Sequence, residues 1–193
     1  MVIRYHAGMM SHALSPPLGD RAERTPTATR VIVERAPWRD LPALAQLQRR
    51  AFSPRLAYTL PTLALLRLIP WVRTLLVRRD GQIAGCVIGD RVLEGGRVVN
   101  LSVAPAYRRQ GIGRALLDAV AVAAREAGKA RLTLVTTNDN LPALRLYQRY
   151  GMHMAALRSG AVERSRAIKP GIPATGIDGI PIRDELELEL RLV

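Results

Sequence analysis

Apolar residues recur along this chain with two periods, near 3.6 and near 2, and the switches between them predict alternating helices and strands. Thr29–Ala36 is compact and β-branched, which predicts a first strand. Asp40 is placed to cap a helix reaching Phe52, with Leu41, Leu44, Leu47 and Ala51 on one face. Leu60–Ile69 continues helically until Pro70 stops it. Strands Leu75–Arg79 and Gln82–Gly89 flank Asp80-Gly81, a strong signal for a two-residue hairpin. Gly95-Gly96 reads as a turn before a strand at Arg97–Val103. Strict alternation there puts Val99, Leu101 and Val103 on one face and Val98, Asn100 and Ser102 on the other.

From Gly111 a helix is predicted to about Ala127, with Ile112, Leu116, Val120 and Ala123 as its buried stripe and Gly128 as its stop. Arg131–Thr136 alternates as a strand. Asn140 suits a helix cap, with Pro142 in the first turn and Gly151 at the end. Met152–Arg158 reads as a strand. Arg164–Arg183 is dense in Pro and Gly and predicts a long loop, of the kind that is functional or disordered. Asp184–Val193 alternates Leu186, Leu188, Leu190 and Leu192 with Glu185, Glu187, Glu189 and Arg191, a half-buried antiparallel strand. No internal repeat is present.

Two segments fall outside this rhythm. Residues 1–28 have no period and no cationic start leading into an apolar core, so they predict a flexible N-terminal tail rather than a secretory signal. The division expected is therefore a tail at 1–28 and one domain at 29–193. Leu60–Val77 is very apolar, but Arg67, Arg73, Pro61 and Pro70 interrupt any membrane span. Helices packed over a sheet, with some apolar surface facing a substrate pocket, fit it better.

The stretch Asn100–Gly113, NLSVAPAYRRQGIG, carries the chemistry. A strand feeding a glycine turn at a helix N-terminus leaves several N–H groups unpaired and pointing one way, beside the positive end of the helix dipole. Gly111 and Gly113 lack a Cβ, which lets the backbone approach a bulky anion. Arg108, Arg109 and Arg114 add guanidinium donors. These features point to phosphate.

Composition narrows the remaining classes. The single cysteine, Cys86, excludes an intramolecular disulfide framework and a cysteine-cluster metal site, and the three histidines offer no ligand set. Cys86 lies inside a strand and reads as a small core residue, and the reducing cytoplasm is the default setting. The net charge is +13, and of 29 Lys and Arg only Lys129 and Lys169 are lysines, leaving 27 arginines. Such a charge suits an anionic partner such as nucleic acid, a membrane surface or a polyphosphate cofactor, or reflects a compositional bias toward arginine. With 4% aromatic residues a nucleic-acid stacking surface is not favoured.

The order of elements and two spaced motifs resemble the GNAT acyltransferases over roughly Thr29 to Val193. Arg108-x-x-Gly111-x-Gly113 matches that family's Arg/Gln-x-x-Gly-x-Gly/Ala pattern, with Val103-Ala104-Pro105 in place upstream. Asn140-x-x-Ala143-x-x-Leu146-Tyr147-x-x-x-Gly151 resembles its second block, with Met152 where Phe is usual. The resemblance implies a mixed, mostly antiparallel α/β sheet flanked by helices, and acetyl transfer from acetyl-CoA to an amine without a metal. It further implies that Leu101 and Val103 meet the pantetheine arm, on a strand splayed from its neighbour. The residues Arg108, Arg109, Gln110, Gly111, Ile112, Gly113, Arg114 and Ala115 would hold the pyrophosphate, and Asn140 would add a contact. Tyr147 falls on the family's tyrosine and is the expected general acid, since its hydroxyl stays protonated at neutral pH and can serve the departing thiolate.

The expected base is open. Members of the family often use Glu or Asp on the central strands, where this chain offers Asn100 and Ser102. Glu94, Asp178, Asp184, Glu185 or a water relay are the alternatives. Two other functions compete: a basic GNAT-fold binding or regulatory module that lost catalysis, and a transferase using a longer acyl-CoA along Leu60–Val77. A homodimer and the identity of the acceptor amine are left open.

Overall fold

A computed structural model describes residues 31–52, 57–90, 95–168 and 170–192. The expected tail at 1–28 and the opening of the first predicted strand lie outside the described residues, as does Glu94.

The strands are β1 (Val33–Arg35), β2 (Val72–Arg79), β3 (Gln82–Asp90), β4 (Gly96–Val103), β5 (Arg131–Thr137), β6 (His153–Arg158) and β7 (Glu185–Arg191). The helices are α1 (Leu41–Ala51), α2 (Leu60–Leu68), α3 (Ile112–Glu126), α4 (Leu141–Tyr150) and α5 (Ala161–Ile168). The seven strands form one sheet in the order β1-β2-β3-β4-β5-β7-β6, antiparallel throughout except where β4 meets β5. The β2–β3 hairpin turns through Asp80 at φ 50° and Gly81 at φ 75°, the paired positive angles of a type I′ turn.

Neighbouring residues on a strand point to opposite faces, and the apolar positions divide accordingly. Val77 and Val87 join Ile112, Leu116, Leu117 and Val120 of α3, together with Leu132, Leu134 and Leu188. Leu76, Cys86 and Ile88 join Leu44 and Leu47 of α1 and Leu63 of α2. Each face of the sheet is thus covered by its own helix pair, α3 with α4 and α1 with α2. No helix among the described residues is long and apolar enough to cross a membrane.

Five expectations need correction. Asp40 sits at the α1 N-cap, but its side chain makes no capping bond, because the carboxylate pairs with Arg78 instead. The buried stripe of α3 runs through Ala121 and Ala124 rather than Ala123. Strict alternation along β4 fails: its register against β3 slips between Ile88 and Gly89, leaving Val99 as an extra residue. Val98 therefore packs in the same core as Leu101 and Val103, while Val99 packs in the other. Leu60–Val77 is helix α2 followed by strand β2; Leu63, Val72 and Leu76 are core, and Leu65, Leu68 and Trp71 are exposed. Finally, residues 164–168 belong to α5, so the expected loop begins only after it. This eight-residue helix buries just Ala161 and Val162, too short a stripe to stand out by periodicity.

Candidate active site

The site begins where β4 and β5 part. They pair only through Gly96–Val98 opposite Leu132–Leu134, then separate while β4 continues along β3. The bond from Ala104 N–H to the Ala84 carbonyl, 2.8 Å, sets the phase of that ladder. Asn100, Ser102 and Ala104 turn their backbone groups toward β3, and Leu101 and Val103 turn theirs into the gap. The gap thus presents sheet donors and acceptors that no strand takes up.

Beyond Val103 the chain makes a 3-10 turn at Pro105–Tyr107, passes through Arg109 at φ 63° and Gly111 at φ 80°, and enters α3 at Ile112. Gly111 supplies no capping side chain, and among the described residues nothing accepts from the amides of Ile112, Gly113 and Arg114. These are the orphan donors of a helix start. Ala115 is not one of them, because its N–H already bonds the Gly111 carbonyl at 3.0 Å. Gly113 also lets α4 approach: a Cβ there would lie 3.1 Å from Leu146 Cδ2.

A cleft of about 1220 Å³ joins these features. Leu101, Val103, Arg108, Arg109, Gly111, Gly113, Arg114, Asn140 and Tyr147 all line it. Arg108 reaches back through Nε to the Val103 carbonyl, 3.3 Å. Asn140 occupies the α4 N-cap but does not cap with its side chain, since Nδ2 donates to Thr136 Oγ1 at 3.1 Å. Gln110, Ile112 and Ala115 do not line the cleft. Gln110 is exposed and donates to the Ala106 carbonyl, and the Ile112 side chain is buried in the α3 core. Tyr147 is 7% exposed, and its hydroxyl has no hydrogen-bond partner among the described residues. Burial pushes its pKa up to about 12, so it stays protonated well above neutrality.

Several contacts around the cleft escaped the sequence. Gln48, fully buried on α1, donates through Nε2 to Asn100 Oδ1 and Ser102 Oγ, both at 3.0 Å, and accepts from Asn100 Nδ2 at 3.2 Å. Cys86 closes this network at 3.2 Å from Ser102 Oγ, and burial lifts its thiol to about 11, which makes it inert as a nucleophile. Gln48 lies on the same helix face as Leu41, Leu44 and Ala45, and a polar residue on an apolar stripe was the available signal. No residue of 60–77 lines the cleft. Its far wall instead comes from Phe52, Tyr58, α5 and the segment after it, including Val162, Ile168, Ile172 and Ile177.

That segment is latched by Asp139, which was not anticipated. Its buried carboxylate accepts from the Thr137 hydroxyl and from Ile177 N–H at 3.2 Å. Gly176 lies so close that a Cβ there would stand 1.9 Å from Asp139 Oδ2. Gly176→Ala is therefore expected to displace the segment at a cost of about 1–3 kcal/mol, the range for overpacking. Urea unfolding would show the loss, and an unchanged midpoint would mean that the segment is not held there.

The expected bases separate clearly. Asp178 is exposed and off the cleft. Asp184 accepts from Gly160 N–H at 2.8 Å. Glu185 alone of the described candidates lines the cleft, 3.8 Å from Arg158 in an ion pair.

The parted strands, the glycine-turned start of α3 and Tyr147 thus share one cleft. A family model described as "Acetyltransferase (GNAT) family" matches residues 41–152, more than half of the chain. The chain belongs to the GNAT family and is an acetyltransferase of that family. It is 39% identical over 110 residues to the uncharacterized protein YdhI of Bacillus subtilis, covering 57% of this chain and 68% of that one. It is 35% identical over 80 residues to the ribosomal protein bS18-alanine N-acetyltransferase of Escherichia coli, covering 42% of this chain and 54% of that one. The crystal structure of that Escherichia coli enzyme superposes with TM-score 0.68 at 24% identity, over 84% of this chain and 94% of the other. A Bacillus subtilis acetyltransferase solved in complex with CoA gives TM-score 0.68 at 19% identity, over 85% of this chain and all of its own.

Proposed function

We propose that the cleft binds acetyl-CoA and that a neutral primary amine, on a small molecule or a protein, attacks it directly. The observation that carries this reading is the conjunction of gap-facing backbone at Leu101 and Val103, which no strand pairs, with orphan amides at Ile112, Gly113 and Arg114. The first suits an amide-bearing pantetheine arm, the second a pyrophosphate with Arg108, Arg109 and Arg114 around it. Asn140 keeps its Oδ1 for a further contact. Bound acetyl-CoA supplies the acetyl group as an activated thioester. Tyr147 holds a proton at its hydroxyl and gives it to the sulfur that departs.

Among the described residues the cleft offers no free carboxylate to deprotonate an ammonium. Asp139 is tied to Thr137 and Ile177, and Glu185 is paired with Arg158. Asn100 and Ser102 are neutral and locked to Gln48. The acceptor is thus delivered in its neutral form through solvent, and an uncharged floor does not favour the ammonium. Acetylation of a panel of primary amines spanning several pKa values tests this. The value of kcat/KM is expected to rise tenfold per pH unit below the acceptor's pKa, with an inflection that follows the amine. An inflection fixed across the panel would assign a protein base, Glu185 first. No transfer to any amine would reject the reading.

A further inference from the structure

The acetyl-CoA reading uses three of the five described arginines that line the cleft. Arg145 and Arg149 are left over. They stand one turn apart on α4, both exposed, and neither joins an ion pair or hydrogen bond among the described residues. Like charges at this spacing repel unless an anion lies between them. The two carboxylates that line the cleft among the described residues do not meet that need, because Asp139 and Glu185 are already engaged with Thr137, Ile177 and Arg158.

The α4 arginines are also continuous with the glycine turn. Leu146 packs on Gly113, and the Arg114 guanidinium lies 5.7 Å over the Tyr150 ring, directly after Arg149 in sequence. Asp118 stands beside Tyr150 but does not line the cleft. The glycine turn, the α3 start and α4 therefore form one wall that carries five guanidinium groups and no lining carboxylate.

We infer that Arg145 and Arg149 form a second phosphate subsite, which takes the 3′-phosphate of coenzyme A and selects its thioesters over carriers lacking that group. This rests on the acetyl-CoA reading. Coenzyme A bears a pyrophosphate and a separate ribose phosphomonoester, whose second pKa near 6 leaves it close to dianionic at neutral pH. Two guanidinium groups with no other partner among the described residues match that charge and can contact it in bidentate fashion.

Calorimetric titration at fixed ionic strength with CoA and 3′-dephospho-CoA separates the possibilities. Wild-type protein is expected to bind CoA about tenfold more tightly, a modest ratio because both arginines are exposed. In R145Q/R149Q the two ligands should bind alike, at the wild-type affinity for dephospho-CoA. R145K/R149K should fall between, since charge is kept and the planar fork is lost. R35Q/R39Q, which removes the same charge from exposed positions off the cleft, should keep the full ratio. Equal binding of both ligands by wild type would overturn the subsite. So would a loss in R145Q/R149Q that falls equally on both ligands. Failure of wild type to bind either ligand would instead reject the acetyl-CoA reading itself.

Discussion

Replacing Tyr147 by phenylalanine is expected to lower kcat by roughly ten- to ten-thousandfold, the range for loss of a general acid. Acetyl-CoA affinity and melting temperature should hardly change. The ring that packs in the α3–α4 core remains, and the deleted hydroxyl has no partner among the described residues, so no buried group is stranded. The raised pKa bears on the role in two ways. Near 12 the hydroxyl is fully protonated across any practical assay range, so Tyr147 should add no alkaline limb below about pH 11. It also exceeds the ordinary thiol value of about 8.5, which would make transfer to a solvated thiolate unfavourable. The same desolvation raises the basicity of a sulfur departing in the cleft, and hydrogen-bond donation to that sulfur lowers the barrier as charge develops. Kinetics under conditions where chemistry limits turnover decide the matter. Wild-type kcat in Tyr147→Phe would return the residue to a packing role alone.

Gly113→Glu is expected to weaken acetyl-CoA binding by at least about a hundredfold, equivalent to about 2.7 kcal/mol, while the fold survives. Gly113 is a first-turn helical residue without a positive φ. A glutamate there gains helix propensity and a favourable place at the positive end of the dipole. The crowding of a Cβ against Leu146 Cδ2, at 3.1 Å, falls on the flexible end of a side chain. Stability without ligand is thus near neutral, whereas a carboxylate now occupies the approach to three orphan amides. Binding and stability should separate, and that separation distinguishes a blocked site from a damaged helix. In wild type, saturating acetyl-CoA at about a hundredfold excess over Kd should stabilise by about 2.7 kcal/mol, an effect the variant should lose. Unchanged calorimetric affinity in the variant would move the pyrophosphate away from α3.

Much of this was legible in the residues because it rests on local chemistry. The Asp80-Gly81 hairpin, the glycine turn and the spacing of Asn140 and Tyr147 depend on backbone conformation or helical period, which nearby residues determine. Contacts between distant elements were not legible. Asp40 was placed as a cap from its neighbours, but Arg78 on the hairpin takes its carboxylate. Asn140 has the same history with Thr136. The slip at Val99 depends on how β4 pairs with β3, and it decides which side chains reach the Gln48 network. The apolar wall of the cleft was expected from 60–77 because hydropathy marks burial without saying against what. It comes instead from α5 and the segment latched by Asp139, whose composition is full of helix breakers.

Hydrogen exchange measured residue by residue, with and without acetyl-CoA, tests the central claim most directly. The account predicts that the amides of Ile112, Gly113 and Arg114 slow markedly on binding, together with the gap-facing amides of Leu101 and Val103. The amides of Asn100 and Ser102, already bonded toward β3, should change little. Binding that left 112–114 and the gap untouched, with protection elsewhere on the molecule, would contradict it.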